Sequence, residues 1–198
     1  MGVAEGSTMT RDVFERYARE YDRWFEEHRA EYQAELARVR HLLPCPDARA
    51  VEVGVGSGRF AAPLGIRIGI EPSRALGRMA RGRGIEVVRG RAEAIPLRDR
   101  SCSSVLMVTV ICFLDDPVRA FCEIHRVLAP QGTLVIGFLE REGPVAQKYL
   151  HEKGKHRFLS RARFYSSGEV REFLGHTGFC VTAIEARAGF CVLAARKG

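Results

Sequence analysis

The sequence predicts an α/β fold: a seven-stranded, mostly parallel sheet with an antiparallel C-terminal strand, sheathed in helices and preceded by an N-terminal helical cap. Three observations carry this. From residue 50 onward, short and nearly continuous apolar runs alternate with helical stretches, as strands buried on both faces require. A glycine-rich turn follows the first run and opens a helix. Two last apolar runs face each other across a tight turn.

Residues 1–9 read as a loose tail, and 10–198 as one domain. From Thr10 to His28, the residues Val13, Phe14, Tyr17, Tyr21, Trp24 and Phe25 recur at three- and four-residue spacings, the apolar stripe of one amphipathic helix. A second helix, Tyr32 to Leu43, runs into the linker Pro44-Cys45-Pro46-Asp47, which closes a cap over 10–46. Strands are expected at 50–55, 66–71, 85–89, 104–111 and 132–139, with helices at Gly58–Leu64, Ser73–Arg83 and Pro117–Leu128. Asp116 and Pro117 make a good cap and first turn for the last of these. The segment 140–165 reads as loop. Ser166 and Ser167 then cap a helix that Gly178 ends, and strands 179–186 and 189–196 complete the sheet.

Composition narrows the class. The chain has 198 residues, 46% hydrophobic and 28% charged, which fits a single globular core. Six cysteines form no C-x-x-C pair, so neither a disulfide framework nor a zinc site is expected. No apolar run approaches the roughly 20 residues of a membrane span, and the N-terminus lacks a secretory pattern. A soluble cytoplasmic protein without a membrane partner is the expectation. The net charge of +7 is concentrated between Arg141 and Tyr165, where seven Lys/Arg face only Glu142 and Glu152.

The strongest motif is Val51-Glu52-Val53-Gly54-Val55-Gly56-Ser57-Gly58. Its glycines allow a tight turn and close approach of a ligand, although glycine turns also serve structure alone. Glu71 follows at the end of the second strand, near the roughly 20-residue spacing at which a carboxylate meets ribose hydroxyls in doubly wound nucleotide sites.

With these residues, the chain resembles the class I S-adenosylmethionine-dependent methyltransferases, in particular the methyltransferase type 11 group, whose fold is Rossmann-like. The resemblance runs from about residue 10 to 195. Its carriers are VEVGVGSGRF, GIEPS, GRAEAIPL, VLMVTVICFLDDP, EIHRVLAPQGTLVIG and FYSSGEVREFLGHTGF. It implies S-adenosylmethionine as cofactor, a cofactor-binding core over 50–139 and a substrate-side lid over 140–165. Gly54, Gly56 and Gly58 would pass under the methionine part, with Glu52 orienting the loop and Glu71 holding the ribose. Ala92 and Glu93 match the adenine-contacting stretch, and Val108 and Thr109 lie where backbone meets the methionine amine. Tyr17 and Tyr21 could cover the cofactor or simply pack. Arg91 departs from the family's frequent aspartate, Gln131-Gly132 replaces Gly-Gly, and the first helix must be brief.

The implied activity is methyl transfer to a small-molecule acceptor, with no specific nucleic-acid partner. No residue announces itself as general base: His125 and His176 read as structural, and His151, His156, Tyr165 and Glu140 fall on the substrate side. Cys112 reads as a packed thiol. Lys148, Lys153, Lys155, Arg157, Arg161 and Arg163 would draw a small anionic acceptor. The alternatives are a nicotinamide-dependent oxidoreductase, which also uses a glycine loop and an acidic residue, and a nucleic-acid-binding module that uses the basic segment.

Overall fold

The computed structural model describes residues 12–152, 156–160 and 162–198. The expected tail at 1–9 lies outside the described residues. Strands β1 (Ala50–Val53), β2 (Ile68–Ile70), β3 (Glu86–Val88), β4 (Cys102–Val108), β5 (Leu128–Leu139), β6 (Phe179–Arg187) and β7 (Phe190–Lys197) form one sheet in the order β3-β2-β1-β4-β5-β7-β6. Pairing is parallel from β3 through β5, and β7 runs antiparallel between β5 and β6. This is the predicted α/β class.

Side-chain alternation divides the core between the two faces of the sheet. On one face, Val105 and Met107 of β4 and Cys191 and Leu193 of β7 pack with Phe121 and Ile124 of α5 (Pro117–Val127) and Leu174 of α7 (Ser167–His176). On the other, Leu106, Val108 and Val192 meet Phe25 of α1 (Ala18–Glu27) and Leu36 and Val39 of α2 (Arg29–Leu42). The N-terminal helices are therefore part of one of the two helical layers, which they share with α3 (Ala61–Leu64) and Ala80 of α4 (Arg74–Gly82). Among the described residues no helix is long and apolar enough to cross a membrane.

Local chemistry fixes the helix starts. Ser73 Oγ accepts from Leu76 N–H ahead of α4 (Arg74–Gly82), Asp116 Oδ1 from Arg119 N–H ahead of α5, and Ser166 with Glu169 forms a capping box on α7. Each such cap contributes about 1 kcal/mol.

The strand expected at 104–111 ends at Val108, ahead of a 3-10 turn at Ile111–Phe113, and the one expected at 132–139 starts already at Leu128. Three further expectations change. The helix expected from Thr10 to His28 is interrupted: residues 12–16 are helical, Tyr17 departs to φ −118 and ψ 28, and α1 starts at Ala18. The helix expected at Gly58–Leu64 is the single turn α3 (Ala61–Leu64), because Gly58 holds φ +86, outside the helical region. Within the loop expected at 140–165, residues Pro144–His151 form helix α6, with Pro144 in its first turn. Proline suits that position, since its missing N–H would have no intrahelical partner there.

Candidate active site

A cleft of about 900 Å³, counting the solvent in its mouth, opens where β1 and β4 end, on the side of the sheet carrying the glycine loop. At the end of β1 the chain turns sharply, and Gly54 N–H and Val55 N–H both donate to the Ile70 carbonyl of β2 at 2.8 and 3.0 Å. Gly54 sits at φ +73, and a Cβ there would come within 2.3 Å of Val110 Cγ2. Only glycine meets both demands. Gly56 lines the cleft, where an added Cβ would lie 3.5 Å from the Tyr21 ring.

Glu71 is tied to that loop. Its Oε2 accepts from Gly56 N–H at 2.8 Å and its Oε1 from Ser73 N–H at 2.8 Å. A carboxylate oxygen carries two lone pairs, so both oxygens keep acceptor capacity for ligand hydroxyls. Glu71 is 6% exposed. Burial pushes its carboxyl up to about 7, against the opposing bonds from Ser73 and Gly56. Upstream, Glu15 accepts from Ser73 Oγ and Ala75 N–H, which joins the N-terminal segment to the start of α4.

The remaining predicted residues divide. Ala92, Glu93, Val108, Thr109 and Tyr21 line the cleft with Gly54, Gly56 and Glu71. Glu52, Gly58 and Tyr17 do not. Glu52 lies 2% exposed behind the loop with Oε2 lacking a partner, and burial raises its carboxyl well above the usual range, partly offset by the Ala61 N–H. Gly58 packs against Ala80 and Ile85. Tyr17 lies under the Arg157 guanidinium, 3.9 Å from its ring centroid. Burial, then Glu71 and Glu52, raise the Tyr21 phenol above its usual range, so it stays protonated.

Thr109 closes β4 with φ +53, an outlier for a β-branched residue. Its N–H donates to the Gly137 carbonyl at 2.7 Å and its hydroxyl to the Val108 carbonyl at 2.8 Å. Strain of this kind costs about 1–3 kcal/mol and gathers at functional sites. Across the cleft, Arg91 donates to Asp115 at 2.7 Å and stands 3.6 Å from Glu93, whose Oε1 accepts the Asp115 N–H. Burial pushes the Cys112 thiol up to about 12, which makes it a packing group. His125 stacks edge-on with Phe179, outside the cleft lining.

Several residues at the site have no role in the sequence reading. Phe14, Phe113 and Phe158 join the expected Tyr21 in an aromatic cluster with centroid separations of 5.1–5.8 Å, and Phe14 and Phe113 line the cleft. Each ring comes from a different segment. Beneath them, Asp22 is 7% exposed and binds Ser57, Arg59 and Arg83. These bonds outweigh the opposing effect of burial and hold its carboxyl at about 2. The charge of the basic segment is partly spoken for: Arg157 pairs with Glu20 and covers Tyr17, while Lys153, Lys155 and Arg161 lie outside the described residues. His156 pairs with Glu152 beside Tyr149. Among the described residues, no cluster of His, Cys, Asp or Glu fits a metal ion.

Residues 51–136, from β1 into β5, match the family model described as a methyltransferase domain. A solved Thermotoga maritima structure, described as a SAM-dependent methyltransferase and possible histamine N-methyltransferase, is 39% identical with a TM-score of 0.89. The alignment covers 96% of this chain and 100% of that one. The chain belongs to the S-adenosylmethionine-dependent methyltransferases.

Two further relatives of this methyltransferase are uncharacterized proteins. An uncharacterized Methanocaldococcus jannaschii protein is 38% identical over 169 residues, covering 85% of this chain and 81% of its own. An uncharacterized Mycobacterium tuberculosis protein is 40% identical over 171 residues, of which the match spans 85% of this chain and 60% of the relative. The family sets aside the nicotinamide alternative. It also accounts for a cleft whose backbone wall is glycine and whose opposite wall is aromatic.

Proposed function

We propose that this methyltransferase holds S-adenosylmethionine in the cleft and passes its methyl group to a small-molecule nucleophile, leaving S-adenosylhomocysteine. One observation carries the reading. The Glu71 carboxylate is fixed by the Gly56 and Ser73 N–H groups at the rim of a loop that presents no side chain at Gly56. That pairing of an anchored acceptor with an open backbone suits a ribose beside a thioether or sulfonium chain.

The bound cofactor supplies an electrophilic methyl group on a positively charged sulfur. The chain's own residues supply place and dryness. Glu71 would accept from the ribose hydroxyls. The backbone at Ala92 and Glu93 would meet the adenine, and carbonyls at the end of β4, around Val108 and Thr109, would meet the amine. Tyr21 covers Gly56, and Phe14 and Phe113 exclude water from the acceptor end. An acceptor held in line with that methyl group would need little from the protein beyond proximity and orientation. The ionisable groups lining the cleft are Tyr21, Glu71, Arg91 and Glu93, and each is engaged or kept neutral as described above. The description of the Thermotoga neighbour, which names a small amine, supports an acceptor of that size.

Calorimetry with S-adenosylmethionine, S-adenosylhomocysteine and NAD(H) tests the reading. Binding of both methyl cofactors and no response to the dinucleotide is the expected result. Dinucleotide binding without a methyl-cofactor response would overturn it.

A further inference from the structure

We propose that Asp22 is a positioning residue of the cofactor site: lying outside the cleft lining, it clamps the cap to the glycine loop, and cofactor affinity depends on that clamp. The inference rests on the reading of the cleft as the S-adenosylmethionine site.

The geometry is specific to the loop. Asp22 Oδ1 accepts from Ser57 Oγ at 2.6 Å and Arg59 Nε at 2.8 Å. Its Oδ2 accepts from Arg59 Nη2 at 2.7 Å and Arg83 Nη2 at 2.8 Å. Arg59 Nη2 also donates to the Asp22 carbonyl at 3.1 Å, and Arg83 Nη1 to the Ser57 carbonyl at 2.7 Å. The residues immediately after Gly56 are thus held by side chain and backbone together. Gly56 itself donates to Glu71, so one connected set of bonds runs from the cap helix α1 through the loop to the proposed ribose acceptor.

Asp22 also places its neighbour. Tyr21 and Asp22 are consecutive on α1, and while the carboxylate holds Ser57 and Arg59, the Tyr21 ring sits beside Gly56. Releasing the carboxylate frees both the loop and its cover. A glycine-rich loop has more conformational freedom than other backbone, and a loop already ordered before binding loses less entropy when a ligand arrives. The carboxylate performs that ordering in the unliganded protein. Its bonds are charge-assisted and largely shielded from solvent, which makes them the strong kind.

The test compares Asp22→Asn with Arg38→Met. Arg38 joins the other cap helix to the Arg187 and Phe190 carbonyls of the β6–β7 hairpin without touching the loop. In unliganded Asp22→Asn, amide hydrogen exchange at residues 56–59 should accelerate about tenfold or more, while β4 keeps its protection. S-adenosylhomocysteine affinity should fall about tenfold, the scale of one charge-assisted bond. Arg38→Met should lower thermal stability and leave both loop exchange and affinity at parental values. Folded Asp22→Asn with parental exchange at 56–59, or with exchange raised but affinity within about twofold of the parent, overturns the proposal. Should Asp22→Asn fail to fold, Ser57→Ala removes one bond of the clamp. It should raise exchange at 56–59 and cost about threefold in affinity, and parental exchange there overturns the clamp equally. A parent that binds neither methyl cofactor defeats the functional reading, and the exchange arm then decides the clamp separately.

Discussion

Along the sheet, the wall of the cleft is backbone: Gly54 and Gly56 at the end of β1, and the strained Thr109 at the end of β4, each set by a strand terminus and its hydrogen bonds. On the opposite side the wall is rings, one each from residues 12–16, α1 and the turn after β4, with Phe158 packed against Phe14 and Tyr21. The backbone wall has no slack, because an atom added at Gly54 meets Val110 at once. The ring wall is made of edge and stacked contacts that smaller side chains can still fill in part. A cofactor common to a family suits the first construction. An acceptor that differs between relatives suits the second.

The sharpest way to break this contrast is Gly54→Val. Left-handed backbone strain plus overlap with Val110 should destabilise the protein by about 3 kcal/mol or more, read by urea unfolding. A loss below about 1 kcal/mol would show that the backbone wall can give way.

Next in size is Glu71→Ala, which should weaken S-adenosylhomocysteine binding by about 1–3 kcal/mol in calorimetry. Unchanged affinity in the folded variant places the ribose elsewhere.

The two carboxylates that accept hydrogen bonds from Gly56 and Ser57 should respond to pH in opposite senses. Glu71 is raised to about 7 in the fold, so its stabilising effect is present below the ordinary carboxylate range and is lost as pH rises through about 7. Cofactor affinity should increase over that same rise, because ribose hydroxyls donate to the ionised form. Glu71→Gln should flatten both limbs, and a parental pH dependence in that variant would assign them to another group. Asp22, lowered to about 2, stabilises at every pH above its unfolded value and fails only as pH falls toward 2.

On the ring wall, Phe113→Leu should raise acceptor KM about three- to tenfold while cofactor affinity stays within about twofold. A matching loss of cofactor affinity would erase the distinction between the walls. The smallest effect belongs to Arg157→Glu. Its pair with Glu20 is about half exposed, so stability should change by less than about 1 kcal/mol in thermal unfolding. A larger loss would make the cap depend on this contact.

The same contrast explains what could be read from sequence. The glycine loop and Glu71 were legible because turn geometry and strand ends are local constraints that leave specific residue types behind. Phe14 and Phe158 were not, since each sits in an ordinary apolar pattern and nothing nearby records that they stack 5.5 Å apart. Asp22 was hidden for another reason. An acid on a helix is normally solvated, and its burial depends on arginines 37 and 61 residues away in the chain. Helix α6 lies within a segment that reads as loop, although Pro144 suits its first turn.

The position of β7 has a consequence for biosynthesis. Of the seven strands of this sheet it is the last to be synthesised, yet it occupies an interior place, with Cys191, Val192, Leu193 and Ala195 wholly buried. At about 5–20 residues per second, β5 is finished seconds before its antiparallel neighbour exists. In that interval its outer edge is a row of unpaired donors and acceptors flanked by Leu134, Val135 and Ile136, a template for any other nascent strand. Substitutions in residues 190–197 should therefore show first as aggregation during expression, before any change in the finished protein can be measured.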